Sequence, residues 1–376
     1  MHRGIGEGEG IGTSSRVDRE DGIARLRLMR TPTVGPVTYA QLLARFGTAR
    51  SALEAIPDLA HRGGGKPPAV PPPGAIEREV EAVEKAGARY LFLGLPGYPA
   101  MLATIPTAPP ALIVRGKRAL LDRPVVGMVG ARNASASACR FARGIAAELG
   151  ERGVTVASGL ARGIDTAAHQ GSIEAGTVAV IAGGIDVAYP PENADLQERI
   201  AIEGLLVAEQ PPGIEPRARH FPYRNRIIAG LAQAVLVVEA APKSGSLITA
   251  RYAGEYGREV LAVPGSPLDP RAQGCNLLIR EGATLIQTAD DVLEMLRPID
   301  PRMLSEPSAS YDPPVHGDAE EGDRRAITAL LGPVPTPVDE IVRQSSRPPA
   351  IVQTVLLELE LAGRLERHAG GQVSLT

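Results

Sequence analysis

The middle of the chain, which we expect to form one domain over 74–298, alternates short apolar runs with segments whose apolar residues recur at helical spacing. Each run is apolar almost throughout, which is typical of strands buried on both faces of a parallel sheet. Repeated strand–helix order of this kind predicts a doubly wound, mostly parallel α/β sheet. We expect strands at 90–93, 125–129, 154–157, 177–181, 205–208, 234–238, 260–263 and 284–286.

A different pattern precedes this region. Residues 1–20 are rich in glycine and polar side chains and are predicted to form a disordered tail. Apolar residues between 39 and 46 then recur at helical spacing, and they predict a small helical domain of SAM or helix-hairpin-helix type over 21–73, ending in a Gly/Pro-rich linker from His61. The glycine turn at 33–38 is of the kind that holds DNA phosphates through backbone amides. One such turn is a weak signal, and a small helical packing domain explains the same residues.

The C-terminal pattern predicts a separate small domain. Residues 299–323 are Pro-rich and acidic and are predicted to be a linker. Residues 324–376 predict three short helices and a hairpin, the order of a winged helix. The third helix, over 350–362, carries Glu358 and Glu360 and no lysine or arginine, whereas a helix that reads DNA brings cations to the groove. We therefore expect a protein-interaction module or a regulatory cap, with backbone contact to DNA left open by Arg343, Arg347, Arg364 and Arg367.

Composition and charge exclude little beyond membrane insertion. Apolar residues make up 44% of the chain, but no run approaches the roughly 20 residues of a membrane helix. The first residues lack the apolar core of a signal peptide, and Cys139 and Cys275 lie in apolar-periodic segments, so we expect reduced thiols in the cytoplasm. The net charge is −3, but 12 acidic and 7 basic residues fall in 299–376, so the first 298 residues carry +2.

Two glycine loops follow predicted strands and contain an arginine each. The loop at 158–163 (SGLARG) presents bare backbone beside Arg162, and the loop at 130–132 (GAR) places Arg132 before a helix. Ligands of open α/β sheets bind at this edge, and such loops suit anions. The G-x-G-x-x-G fingerprint is incomplete, so dinucleotide binding is disfavoured. A surface arginine paired with a carboxylate is the alternative for Arg132.

The strongest local signal is the run 217–226 (RARHFPYRNR). It contains four arginines and two aromatic residues, in a chain that is only 3% aromatic. Single-stranded nucleic acid is held in this way, because cations follow the phosphates and a ring stacks on a base. The alternative is that Phe221 anchors the core and that one of Arg224 and Arg226 pairs with a carboxylate such as Glu239.

A Ser-Gly-Ser turn at 244–246 follows another strand and opens a helix. Its amides and hydroxyls, with Lys243, suit a phosphate, although an ordinary capped helix start explains it equally well. The order of a P-loop is missing, so nucleotide hydrolysis is not predicted. No catalytic triad, carboxylate pair or metal-ligand spacing is evident, so we expect no catalytic residue, no metal and no cofactor.

Together these motifs resemble the DNA-processing protein A family (DprA, also called Smf). The resemblance rests on 130–132 (GAR), 158–165 (SGLARGID) with His169, 189–190 (YP), 221–226 (FPYRNR), 244–250 (SGSLITA), 264–265 (PG), 274–276 (GCN) and 282–283 (GA). It implies an extended Rossmann-like fold and a cytoplasmic bacterial protein without established catalytic activity. It also implies a homodimer that binds single-stranded DNA and helps to load the RecA recombinase during natural transformation or recombination.

From the residues and the resemblance we expect one DNA-binding pocket. Its expected residues are Arg132, Arg162, Gly163, Arg217, Arg219, Phe221, Arg224, Arg226, Lys243, Ser244, Gly245 and Ser246. The alternative is a Rossmann-like nucleotide-processing enzyme of the phosphoribohydrolase type. It needs a reactive carboxylate, and Asp165, Asp186 and Glu239 are single candidates without evident partners. A ligand-sensing regulator that uses the winged helix on duplex DNA is a third possibility.

Overall fold

The computed structural model describes residues 16–296, 318–368 and 370–376, and these form two compact units. One unit contains the described residues up to 77 together with those from 318 onward, and the other contains 78–296. Most of the predicted tail and of the predicted acidic linker lies outside the described residues. The parts that are described are helical at Arg16 and at Glu321, earlier than the predicted domain starts.

Four helices begin the chain. Thr48 caps the third of them, because its hydroxyl accepts a hydrogen bond from the Ser51 amide at 3.1 Å. Pro36 opens the second, where its fixed φ suits a first turn and its missing N–H is not needed. The helices are α1 (Arg16–Met29), α2 (Pro36–Phe46), α3 (Ala49–Arg62) and α4 (Pro73–Lys85).

The central unit is built on a nine-stranded sheet within the described chain. In space the strands follow the order β1-β2-β6-β5-β4-β3-β7-β8-β9, and all neighbours are parallel except β1–β2 and β2–β6. This confirms the doubly wound α/β prediction. The strands are β1 (Arg89–Phe92), β2 (Ala111–Gly116), β3 (Val125–Gly130), β4 (Thr155–Ser158), β5 (Thr177–Val180), β6 (Leu205–Ala208), β7 (Ala234–Val238), β8 (Glu259–Ala262) and β9 (Thr284–Leu285).

Alternate residues of each central strand enter two separate cores. On β7, Val235 and Val237 belong to one apolar cluster, while Leu236 and Val238 belong to the other. Successive side chains of a strand point to opposite faces of the sheet, which explains this division. Because both faces are buried, the strand has no polar position. Helices therefore cover both faces of the sheet, as a doubly wound fold requires.

The helices of the central unit connect these strands. They are α5 (Ala100–Ala103), α6 (Ala136–Glu151), α7 (Ile164–Ser172), α8 (Ala194–Glu203), α9 (His220–Leu231), α10 (Ser246–Glu255), α11 (Gln273–Arg280) and α12 (Ala289–Met295), with 3₁₀ turns at Arg118–Asp122 and Pro191–Asn193. Strand order reverses between β3 and β7, since β4 to β6 extend one way from β3 and β8 and β9 the other. The loops after β3, β4 and β7 therefore meet at a topological switch point, where ligands of such sheets bind.

The C-terminal residues form the predicted winged helix. Its elements are α13 (Glu321–Ala329), β10 (Thr336–Pro337), α14 (Val338–Ser345), α15 (Pro349–Leu361), β11 (Leu365–His368) and β12 (Gln372–Leu375). The three strands pair antiparallel in the order β10-β12-β11, and Ile327, Ile341 and Val352 lie in its core.

One prediction in this unit needs correction. The glycines at the start of the predicted linker from His61 are packed, since a side-chain atom on Gly63 would lie 2.1 Å from the carbonyl oxygen of Glu358. The segment from Gly63 to Gly65 is a contact surface for α15, because only glycine permits such close approach of two backbones. In the described part of the chain, no helix is both long and apolar enough to cross a membrane.

Candidate functional site

A cleft of about 780 Å³ opens at the switch point of the sheet. The loop after β3 supplies Gly130, Ala131, Arg132 and Asn133, and the loop after β7 with the start of α10 supplies Lys243 to Ser246. The first turns of α9 contribute Phe221, Arg224 and Asn225 from the other side. Loops that are far apart in sequence thus come together because their strands end at the same edge.

A second cavity of about 420 Å³ adjoins the first and shares Arg132, Phe221 and Arg224 with it. Its own lining includes the loop after β4, from Gly159 to Arg162, and apolar residues at the ends of later strands. Those apolar residues are Ile181, Ala182, Val187, Tyr189, Pro190 and Pro216. The second cavity therefore combines arginine side chains with apolar side chains, as the first does.

Phe221 stands at the boundary of the two cavities. The guanidinium carbon of Arg132 lies 5.1 Å from the ring centroid of Phe221, and the Tyr189 ring lies 5.5 Å away at a tilt of 49°. Phe221 is only partly buried and Tyr189 is 45% exposed. The alternative in which Phe221 anchors the core does not fit this position, since the ring faces the cleft.

Arg224 forms the floor between the cavities, where it is 6% exposed. One guanidinium nitrogen donates to the carbonyl of Val180, and within the described residues its Nε has no hydrogen-bond partner. Burial lowers the pKa of Arg224 to about 10, although the charge of Asp165 opposes the change. Arg224 therefore brings a buried positive charge to the wall that the two cavities share.

Asp165 interacts electrostatically with Arg224 and shapes the loop after β4. Its carboxylate accepts hydrogen bonds from the amides of Gly159 at 3.1 Å and Ala161 at 3.3 Å. Burial raises the pKa of Asp165, while the Arg224 charge acts in the opposite direction. The carboxylate therefore organises the loop instead of capping α7, whose N-cap residue is Gly163.

Arg226 lies elsewhere. It is 2% exposed and is not among the residues that line either cavity, and its Nη2 donates to both carboxylate oxygens of Glu209 at 2.6 and 2.8 Å. Its guanidinium also lies 4.1 Å from the Tyr223 ring. This confirms that one of the two helical arginines pairs with a carboxylate, but the partner is Glu209 and not Glu239. Arg226 is therefore a core residue that positions α9.

The other predicted residues differ in their access to the cleft. Arg162 lines the second cavity and is paired with Glu192 at 2.6 Å, and Lys243 to Ser246 line the first cavity. Gly163 has a φ of +74°, and a side-chain atom there would lie 2.3 Å from the Ala131 carbonyl oxygen. A glycine at this position therefore lets the loop after β4 pack directly on the loop after β3. Arg217 and Arg219 are exposed on either side of Ala218, which lines the first cavity.

Sequence reasoning missed several lining residues. Asn133, Asn225, Thr249 and Arg271 line the first cavity, and Tyr189 the second. Tyr189 was part of a recognised motif, yet its proximity to Phe221 follows only from the folded loops. Asn225 is fixed by donating to the Gly245 carbonyl at 3.3 Å.

The three carboxylates that an enzyme would need are all engaged with backbone. Glu239, with a φ of +53°, accepts from the Ser135 amide at 2.8 Å and the Ser135 hydroxyl at 2.6 Å, which holds the start of α6. Asp186 accepts from the Gly213 amide at 2.8 Å. Among the described residues there is also no group of three His, Cys, Asp or Glu side chains that could hold a metal.

Fold and site together define a class: a Rossmann-like protein with an arginine-lined cleft at its switch point, joined to a small helical domain and a winged helix. Comparison with protein families agrees with each part. Residues 89–297 match the family of DNA recombination-mediator protein A, residues 19–82 the DprA-like N-terminal HHH domain, and residues 311–371 the DprA winged helix domain. The chain belongs to the DprA/Smf family.

Two curated relatives show the extent of the similarity. Protein Smf of Synechocystis is 35% identical over 334 residues, which cover 77% of this chain and 81% of the relative. DNA processing protein DprA of Streptococcus pneumoniae is 46% identical over 198 residues, which cover 52% of this chain and 70% of the relative.

Solved structures of the family match as well. The X-ray structure of DprA from Streptococcus pneumoniae has a TM-score of 0.64 and 35% identity, and the match covers 72% of this chain and 96% of that one. DprA from Helicobacter pylori, whose structure describes a single-stranded DNA binding mode, has a TM-score of 0.51 and 27% identity, with 56% and 97% covered.

Proposed function

We propose that this chain binds single-stranded DNA in its cleft and acts as a non-catalytic recombination mediator. The observation that carries the proposal is the convergence of Arg132, Arg224 and Phe221 on one cleft, from the loop after β3 and from α9, which the sheet brings together. The membership in the recombination-mediator family and the described DNA binding of the Helicobacter pylori relative support it.

The first cavity suits phosphate. Arg132 and Lys243 bring charge, and the turn 244–246 brings hydroxyls and amides at the start of α10. An anion there is also favoured by the helix dipole. The charge of Arg224, which lines both cavities, adds to this set.

The rings favour an unpaired base over a duplex. Phe221 and Tyr189 offer apolar faces at the cavity boundary. Bases of a duplex are already stacked and paired, so a ring on the rim of a cavity gains its full stacking energy, about 1–3 kcal/mol per base, only from an unpaired strand.

The test is fluorescence anisotropy with a labelled oligonucleotide at several salt concentrations. For single strands the logarithm of the binding constant falls with a slope of about −0.7 per phosphate neutralised. Arg132→Ala should weaken binding to all sequences alike and make the slope shallower by about 0.7, the share of one phosphate contact. The matched control is Arg199→Ala, since Arg199 is exposed, pairs with Glu203 at 3.2 Å and lines neither cavity. Affinity that is insensitive to salt, or equal competition by duplex, would contradict the proposal.

The engaged carboxylates support a role without catalysis. Asp165, Asp186 and Glu239 each hold backbone amides, which leaves no prepared general acid or nucleophile among the candidates for phosphoribohydrolase chemistry. The check is nucleobase release from a panel of nucleoside monophosphates, for which we expect none above the blank. Release that Glu239→Gln abolishes would favour the enzyme instead.

We also propose the cellular role that the family resemblance implies. As a homodimer in the cytoplasm, the protein would protect incoming single strands and help RecA to load on them during natural transformation or recombination. Sedimentation velocity tests the homodimer. RecA filament formation on strands coated with single-stranded-DNA-binding protein tests loading: wild type and Arg199→Ala should shorten the lag and Arg132→Ala should not, whereas an unchanged lag with wild type would refute the role.

A further inference from the structure

The third helix of the winged helix, α15, is buried within the unit that contains the N-terminal helices and the C-terminal residues. All of its residues from Thr354 to Leu361 are buried. One side packs into the winged-helix core through Val355, Leu356 and Leu359. The other side joins the N-terminal helical domain, since Leu357 and Leu361 belong to the same apolar cluster as Leu42, Ile56 and Leu59. Residues of α15 therefore contribute both to the core of the winged helix and to the core of the N-terminal helical domain.

The glycine run after α3 makes this contact close. A side-chain atom on Gly63 would lie 2.1 Å from the Glu358 carbonyl oxygen, and one on Gly65 would lie 2.3 Å from the Ala362 carbonyl oxygen. Real side chains do not approach backbone so closely, so these two positions accept only glycine without movement. The glycines explain why the end of α15 rests directly on the loop after α3.

Polar contacts fix the register of the two domains. Gln41 donates to Gln353 at 2.8 Å, and Arg364 donates to the Gly63 carbonyl at 2.9 Å. Asp318 accepts from Arg45 at 2.6 Å and from Arg62 at 3.1 Å. Each of these bonds joins the N-terminal helices to the C-terminal segment, so the contact is specific and is not merely apolar.

The cations of the winged helix are already engaged. Arg324 donates to both oxygens of Glu358 at 2.8 and 2.9 Å, and Arg367 donates to Glu360 at 2.7 Å. Arg343 pairs with Glu340, and Arg347 pairs with Asp323 at 3.2 Å. The helix that enters the major groove in DNA-reading domains of this type is here covered and acidic, and Arg324, Arg343, Arg347 and Arg367 are each paired with a carboxylate.

We propose that α15 is a docking face for the chain's own N-terminal helices, and that the winged helix joins the two ends of the chain into one folding unit instead of reading duplex DNA. The central unit is then an insertion in that end unit. The proposal is independent of single-strand binding, which depends on the other unit.

The first test is cross-linking in the full chain. Gln41→Cys with Gln353→Cys, in a Cys139→Ser background, should give an intramolecular product with a short bismaleimide, because the two glutamine side chains touch. Cys275 is buried and stays in place. The single-cysteine variants are the controls. A double-cysteine chain that yields no intramolecular product would overturn the docking.

The second test is hydrogen exchange of the full chain carrying Gly63→Ala. Exchange in α3 and α15 should accelerate together by about 5–30-fold, since the added methyl group separates both helices. Gly332→Ala is the matched control, because a side-chain atom at Gly332 meets no atom within 4 Å. Faster exchange in only one of the two helices, or in neither, would refute a shared folding unit.

The third test addresses duplex DNA. Arg343→Ala with Arg347→Ala in the full chain should leave duplex affinity within about twofold, because both arginines are paired on a domain whose third helix is covered. A loss of tenfold or more would show that the winged helix binds duplex and would overturn the proposal.

Discussion

The guanidinium group of Arg132 lies over the ring of Phe221, with its carbon 5.1 Å from the ring centroid. Arg132 follows β3 and Phe221 opens α9, so the contact exists only because the sheet brings the two elements together. It places charge and an apolar face at one point of the cleft. Their contributions to binding are separable, because salt screens the attraction of a cation for phosphate but not the stacking of a ring on a base.

Phe221→Ala should weaken binding of a single-stranded oligonucleotide by about 1–3 kcal/mol, the usual loss when one stacking ring is removed. The dependence on salt should stay as in the wild type, since no cation is lost. Anisotropy titrations at several salt concentrations measure both quantities.

Phe221→Tyr is the control, because it keeps an aromatic face at the partly exposed position. Its affinity should stay close to that of the wild type. Equal weakening by the alanine and tyrosine variants would argue against stacking, and a shallower salt slope for the alanine variant would mean that the ring acts by positioning Arg132.

Gly159→Ala should weaken DNA binding by displacing Arg224 from the floor of the cleft. A side-chain atom at position 159 would lie 2.2 Å from Nη1 of Arg224, so the guanidinium must move. Overpacking of this kind costs about 1–3 kcal/mol of stability, which leaves the fold intact. Thermal unfolding and anisotropy at one salt concentration report the two effects.

The control for this change is Gly144→Ala on α6, where an added side-chain atom meets nothing within 4 Å. It should be neutral or slightly stabilising, as alanine is favoured inside a helix. Normal affinity of Gly159→Ala would show that Arg224 does not contact the ligand.

Arg226→Ala should destabilise the central unit by about 3–5 kcal/mol, because it leaves the Glu209 carboxylate buried without its partner. Removing both charges avoids that cost. The double variant with Glu209→Ala should therefore be more stable than Arg226→Ala alone, although it has lost more atoms. Denaturant unfolding followed by circular dichroism measures both variants, and additive destabilisation would contradict a coupled buried pair.

The strands from β3 to β7 were predictable because burial on both faces leaves them almost wholly apolar. β2 (Ala111–Gly116) was not predicted. It pairs antiparallel with β1 and β6 at one side of the sheet, and the helix between β1 and β2, α5, is only four residues long, too short for an apolar periodicity to show. The β–α alternation that reveals the parallel strands is therefore missing there.

The site was partly predictable for a similar reason. Glycine loops that follow parallel strands must gather at one edge, so the loops at Arg132 and Arg162 were expected near each other. Which of Arg224 and Arg226 lines the cleft was not predictable. They are two residues apart on α9 and so point about 160° apart around the helix axis, which means that they cannot both face the cleft. Sequence alone does not tell which of them does, because that depends on how α9 is rotated against the sheet.

The side chain of His169 gives the central unit a dependence on pH. It is fully buried, and its Nδ1 lies 2.7 Å from the Thr177 hydroxyl, which itself donates to the Val156 carbonyl at 3.2 Å. Nδ1 therefore carries the proton of the neutral ring. Within the described residues Nε2 has no partner, so protonating it would leave a buried cation without an acceptor.

Burial lowers the pKa of His169 to about 3, with the Arg224 charge acting in the same direction. Between pH 3 and about 6.5 the unfolded chain then binds a proton that the folded chain does not, so stability rises with pH across this window and is lost as pH falls. At pH 5 the loss is about 2 kcal/mol relative to neutral pH. His169→Gln should remove this part of the pH dependence, as measured by urea unfolding at pH 5, 6 and 7.5, while His61→Gln should keep it. A wild-type slope in the His169→Gln variant would assign the acid sensitivity to other groups.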